Sequence, residues 1–182
     1  MKSKYSEKIL VHKIQQNGDT DSFATLYDLY IQRIYRFTYL KLGSREEAED
    51  ITSEVFLKTW NYLIANKDQV VKSFSGLIYR ITRNTLIDFY RQNTKSEISL
   101  EDLGEIRVNT KIIKELNDKQ ETQRIFNTLR KMKREYQEVI LLKHVEELST
   151  SEIAEILQKS TTNVRVTLYR AIKILKRLLG EK

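Results

Sequence analysis

LSTSEIAEILQKSTTNVRVTLYRAIKILKRL, residues 148–178, holds two helix starts separated by a tight break. Ser149-Thr150-Ser151-Glu152 has the S-x-x-E form of a capping box, and Ile153, Ala154, Ile156 and Leu157 follow it. This predicts a short helix from about Thr150 to Gln158. Ser160, after the Gln158-Lys159 break, can cap a second helix whose apolar residues Val164, Leu168, Ala171, Leu175 and Leu178 recur at helical spacing and are expected to be buried. Thr162, Val166, Tyr169, Arg170, Lys173 and Arg177 fall on the other face, with Asn163 and Arg165 beside the first turn. A lone basic amphipathic helix is usually a solvated surface. A short capped helix, a break and a longer basic helix together describe a helix-turn-helix, whose second helix reads a DNA major groove.

Upstream, Ile125, Leu129 and Met132, then Tyr136, Val139, Ile140, Leu142 and Val145, supply two supporting helices, which makes a four-helix unit over residues 121–182. That block carries 13 Lys+Arg against eight Asp+Glu. Before it, Glu97, Glu101, Asp102 and Glu105 fall in nine residues without a basic one and the periodicity weakens, so residues 95–120 read as a flexible linker.

A first block of three to four helices occupies residues 1–94, with breaks at Asn17-Gly18-Asp19 and Leu42-Gly43-Ser44. Ser44-Arg45-Glu46-Glu47 is a second capping box and opens a helix to about Ile64. Ala48, Ile51 and Val55 form its buried stripe, while Glu47, Asp50 and Glu54 line a separate face. The next helix, Phe74 to about Arg91, gathers Arg80, Arg83, Asn84 and Arg91 within about a third of its circumference. Leu77, Ile78, Ile81, Thr85 and Phe89 take the other side, and Tyr79 and Tyr90 border the strip. Arginines beside aromatic rings suit single-stranded nucleic acid, by phosphate contact and base stacking.

Composition agrees with an all-α chain: 182 residues with no proline and only five glycines. A net charge of +7 favours a polyanionic partner. Cysteine is absent and His12 and His144 are the only histidines, which removes disulfides, zinc-cysteine sites and thiol nucleophiles; no phosphate-cradling glycine motif appears either. We therefore expect no enzyme, no cofactor and no metal. No apolar run approaches the length that spans a bilayer, so a cytoplasmic protein without membrane insertion is expected.

EEAEDITSEVFLKTW (46–60) resembles the polymerase-binding segment of region 2 in extracytoplasmic-function sigma factors of the sigma-70 family. SGLIYRITRNTLIDFYRQ (75–92) resembles the segment that melts and reads the promoter −10 element, and residues 123–179 are similar to region 4, which reads the −35 element. The resemblance implies two small helical domains, a region 2 bundle and a region 4 helix-turn-helix. It implies core RNA polymerase, promoter DNA and an anti-sigma factor as partners. It assigns Asp50, Ser53, Glu54, Phe56 and Leu57 to polymerase binding, Tyr79, Arg80, Arg83, Asn84 and Arg91 to the −10 element, and Thr162, Asn163, Arg165, Val166, Tyr169, Arg170 and Lys173 to the −35 element. The competing reading is a helix-turn-helix regulator that binds duplex DNA without replacing the polymerase specificity subunit. It leaves the acidic helix and the arginine helix without a role.

Overall fold

A computed structural model describes residues 4–93 and 119–180. Among the described residues the structure is all helical, with no strand. Residues 155–157 aside, the chain divides into two compact units, one made by Met1–Ile98 and the other by Ser99–Ala154 with Gln158–Lys182. Most of the expected linker, residues 95–118, lies outside the described residues.

The first unit holds α1 (Lys4–Asn17), α2 (Thr20–Leu42), α3 (Arg45–Ala65) and α4 (Phe74–Asn93). Both expected breaks are present and have local causes. Asp19 caps α2 by accepting from the Asp21 amide. Gly43 ends α2 at φ 84°, a left-handed conformation that costs glycine little, and its amide donates to the Tyr39 carbonyl. Ser44 then accepts from the Glu47 amide at 3.3 Å and starts α3.

In this unit α3 packs directly against both α2 and α4, and α2 and α4 meet as well. Thr38 meets Thr52 of α3 at 3.1 Å between hydroxyls, and each hydroxyl also bonds a carbonyl one turn back on its own helix, so a close crossing of α2 and α3 leaves no buried hydroxyl orphaned. Against α4, Tyr30 packs on Phe74, Phe37 packs on Tyr79, and the Tyr90 hydroxyl donates to the Lys41 carbonyl. Those three contacts climb both helices in step, so α2 and α4 run parallel. Gln15, at the end of α1, donates to the carbonyls of Asn66 and Gln69 and pins the α3–α4 connection.

The second unit holds α5 (Lys119–Arg130), α6 (Arg134–Ile140), α7 (Thr150–Leu157) and α8 (Thr161–Leu179). The chain leaves α6 through a widened π-helical turn, Leu141–Val145, closed by the Glu146 amide on the Leu141 carbonyl. The Ser149 box is reciprocal: Glu152 N–H donates to Ser149 Oγ at 3.2 Å, and Ser149 N–H donates to the Glu152 carboxylate at 2.9 Å. Val164, Thr167 and Ala171 are the buried residues of α8. Leu168 and Leu175 are half-buried and Leu178 is exposed, which corrects the expected stripe; the last turn of α8 is held instead by Arg124 of α5, which donates to the Leu179 carbonyl at 2.8 Å.

Candidate nucleic-acid interface

The turn of the helix-turn-helix is fixed at both ends. Gln158 takes φ 54°, the Lys159 amide reaches back to the Ala154 carbonyl, and Ser160 accepts from the Asn163 amide at 3.1 Å. Lys159 also pairs with Glu135 at the start of α6, which ties the turn to the supporting helix. With Val164 and Ala171 buried, helical geometry turns Thr162, Asn163, Arg165, Val166, Tyr169, Arg170 and Lys173 outward, and every one of them is exposed. Tyr169 is 70% exposed in the middle of this face. Its ring lies on the same face as Arg165, Arg170 and Lys173. Arg and Lys can reach phosphates or guanine edges, and Val166 can reach a thymine methyl.

On α4, Asn84 and Arg91 are exposed and Arg80 and Arg83 half-exposed, so the expected strip lies on one outward face. Arg91 also pairs with Asp88 at 3.6 Å. Tyr79 is a correction: at 0% exposure its ring is core, edge-on to Phe37 with centroids 5.6 Å apart. It cannot stack on a base. Its position on α4 points toward α2, which a helical projection of α4 alone does not reveal. Tyr90 is half-buried and its hydroxyl is spent on the end of α2.

The α3 face also divides. Asp50, Ser53 and Glu54 are exposed, and Leu57 beside them is 61% exposed, an apolar side chain among polar ones. Glu47 is half-buried, and burial followed by the neighbouring Glu46 charge pushes its carboxyl up from the ordinary value. Phe56 is the second correction. At 4% exposure it lies beneath the face, tilted against Tyr27 at 4.6 Å and edge-on to Phe23 at 6.4 Å, so it supports the surface from below. Phe23 packs in turn on Trp60 at 5.0 Å.

Sequence reasoning passed over Arg33 of α2. Its guanidinium lies 5.3 Å from the centre of the Tyr30 ring and 5.9 Å from that of Tyr79. The signal was available: residues 29–42 contain Arg33, Arg36 and Lys41 and no carboxylate. Among the described residues no group of acidic and histidine side chains could hold a metal ion, and no helix is long and apolar enough to cross a membrane.

Comparison with known proteins matches residues 26–96 to the Sigma-70 region 2 family and residues 122–175 to Sigma-70, region 4. The chain is 29% identical over 187 residues to the ECF RNA polymerase sigma factor SigW of Bacillus subtilis, covering 96% of this chain and 99% of that protein. It is 30% identical over 165 residues to the RNA polymerase sigma factor YlaC of the same organism, covering 86% and 91%. Among solved structures, CnrH in complex with the cytosolic domain of CnrY shares the fold at a TM-score of 0.72 and 20% identity, over 96% of this chain and 97% of that one. RpoE in complex with the anti-sigma factor NepR, from Bartonella quintana, does so at 0.71 and 17%, over 87% and 96%.

Proposed function

The chain belongs to the extracytoplasmic-function group of the sigma-70 family of RNA polymerase sigma factors, and from that premise we propose how its surfaces divide the work. Residues 1–94 dock on core RNA polymerase and open the −10 element, residues 121–182 read the −35 element, and residues 95–120 tether them. The protein acts in the cytoplasm and catalyses nothing itself. Chemistry belongs to the polymerase; this chain contributes binding free energy and base selection.

Polymerase docking falls to Asp50, Ser53, Glu54 and Leu57, with Phe56 holding their helix in place from below. Burying the exposed Leu57 gives the contact an apolar centre, and the carboxylates around it select a basic or amide-rich partner surface. At the −10 element, Arg80, Arg83 and Arg91 hold the phosphates of the opened strand and Asn84 reads an extruded base. Such extrusion costs a few kcal/mol, which pocket contacts must offset. At the −35 element, Arg165, Tyr169 and Arg170 enter the major groove and Thr162, Asn163, Val166 and Lys173 flank them. An anti-sigma factor silences the chain by covering one of these faces, a reading supported by the complexes in which CnrH and RpoE were solved.

The observation that carries this reading is the acidic row with an exposed leucine on the same folded unit as the arginine strip. A regulator that only binds duplex DNA has no use for it. The test is transcription in vitro from a fragmented genomic library by bacterial core polymerase, with and without this protein. Discrete new starts sharing two upstream elements at fixed spacing support it. Unaltered core transcription, with duplex sites bound by the protein alone, replaces it with the regulator reading.

A further inference from the structure

The helix α8 is longer than the patch that anchors it. Its buried side chains are Val164, Thr167 and Ala171, which span about 10 Å of a 19-residue helix about 28 Å long. None is larger than valine, and Leu168 and Leu175 are only half-buried, so little bulk resists a change of tilt. A tilt of about 5° about Ala171 carries Arg165, six residues away, through about 0.8 Å. That exceeds the roughly 0.5 Å within which a recognition constellation has to be held.

Two polar ties hold the ends of this helix. At its start Lys159 of the turn pairs with Glu135 in the first turn of α6, and at its end Arg124 of α5 donates to the Leu179 carbonyl at 2.8 Å. The turn does not need the first tie in order to form: Gln158 at φ 54°, the Lys159 amide on the Ala154 carbonyl and the Ser160 cap already shape it. Nor does folding gain much from it. The Lys159 side chain is 33% exposed and that of Glu135 51%, and ion pairs so open to water add little stability. The Leu179 carbonyl lies in the last turn of a helix, where water can replace Arg124. What the ties add is a fixed distance from each end of α8 to a different supporting helix.

We infer that Glu135, Lys159 and Arg124 are positioning residues for the −35 element. They read no base themselves; they hold the tilt of α8 so that Arg165, Tyr169 and Arg170 meet their base edges together. Holding that tilt before DNA arrives also lowers the ordering cost of binding. The inference rests on the −35 role proposed for α8, and its test separates the two.

The test is transcription in vitro by core polymerase with the full chain, from a start mapped in the library experiment, with its −35 element intact or scrambled. The ratio of the two yields measures reading of that element, and it cancels the effect of a changed charge on affinity for DNA of any sequence. Glu135→Lys and Lys159→Glu are each expected to lower the ratio by about two- to fivefold, and the chain carrying both to restore it. Arg124→Met should lower it too, while Arg124→Lys, which can still donate to the carbonyl, retains it. Circular dichroism should show all of these variants melting close to wild type. If the wild type discriminates but the two reversals leave the ratio unchanged, or lower it without rescuing each other, the first tie does not position α8 and the −35 reading stands. An unchanged ratio in Arg124→Met removes the second tie in the same way. A loss of ratio matched by an equally early melt assigns the ties to folding and overturns the inference. If the wild type transcribes equally from intact and scrambled elements, the −35 reading fails and takes the inference with it.

Discussion

Phe56 and Leu57 are neighbours in sequence and opposites in structure, and substituting each separates folding from docking. Phe56 is 4% exposed beneath Phe23 and Tyr27, so Phe56→Ala leaves a cavity and costs about 3–5 kcal/mol. For a unit of this size each kcal/mol moves Tm by about 4–8 °C, so the melting of the first unit should fall by at least about 12 °C. Leu57 is 61% exposed. Full burial of a leucine is worth about 1.5–3 kcal/mol, of which about 1–2 kcal/mol is still available to a partner. Leu57→Ser should therefore weaken the affinity for core polymerase by about 5–30-fold while leaving Tm close to wild type. Circular dichroism gives the first number, and competition with fluorescently labelled wild type for core polymerase gives the second. If Leu57→Ser melts as early as Phe56→Ala, or competes as well as wild type, the division of this face into support and contact is wrong.

Other perturbations reach the remaining features. Ser149→Ala removes half of a reciprocal capping box and should cost the second unit about 1 kcal/mol, seen as earlier melting of that unit. Arg170→Ala should lose about 1–3 kcal/mol of promoter discrimination if it reads a base; an unchanged ranking of promoter variants in transcription assays would assign it to phosphate. Tyr30 is buried, and burial followed by the Glu7 charge raises its phenol well above the ordinary value of 10.0. Its proton is held in the fold and released by the unfolded chain, so the stability it contributes is complete below pH 10 and declines as pH rises beyond that value. Melting followed through the alkaline range should show that decline in the wild type and a shallower one in Tyr30→Phe.

The sequence announced helix starts well because each is a local device. Ser44, Ser149 and Ser160 accept from an amide three residues on, a bond that depends on nothing outside its own turn. The outward face of α8 was legible for a related reason: once Val164 and Ala171 are buried, the outward set follows from the helical repeat. What stayed hidden depends on neighbours. Tyr79 and Phe56 lie at the borders of their helices' apolar faces, where burial is decided by α2, and no projection of α3 or α4 contains α2. Leu178 has the right spacing but is left exposed. The π-helical turn at Leu141–Val145 has no glycine or proline to mark it.

The close crossing of α2 and α3 at Thr38 and Thr52 has a mechanical consequence. α2 is packed on α3 by that hydroxyl pair and on α4 by Tyr30 and Phe37, with no loop in the path. α3 also packs directly on α4, where Lys58 donates to the Thr85 hydroxyl at 3.3 Å, so the distance from the leucine on α3 to the arginines on α4 is set by side-chain volumes, as the span of a drilling jig is set by its steel. On the proposed division of the two faces, a polymerase that grips the α3 face receives the α4 face at a fixed offset, and the place where the strand is opened is measured from the grip.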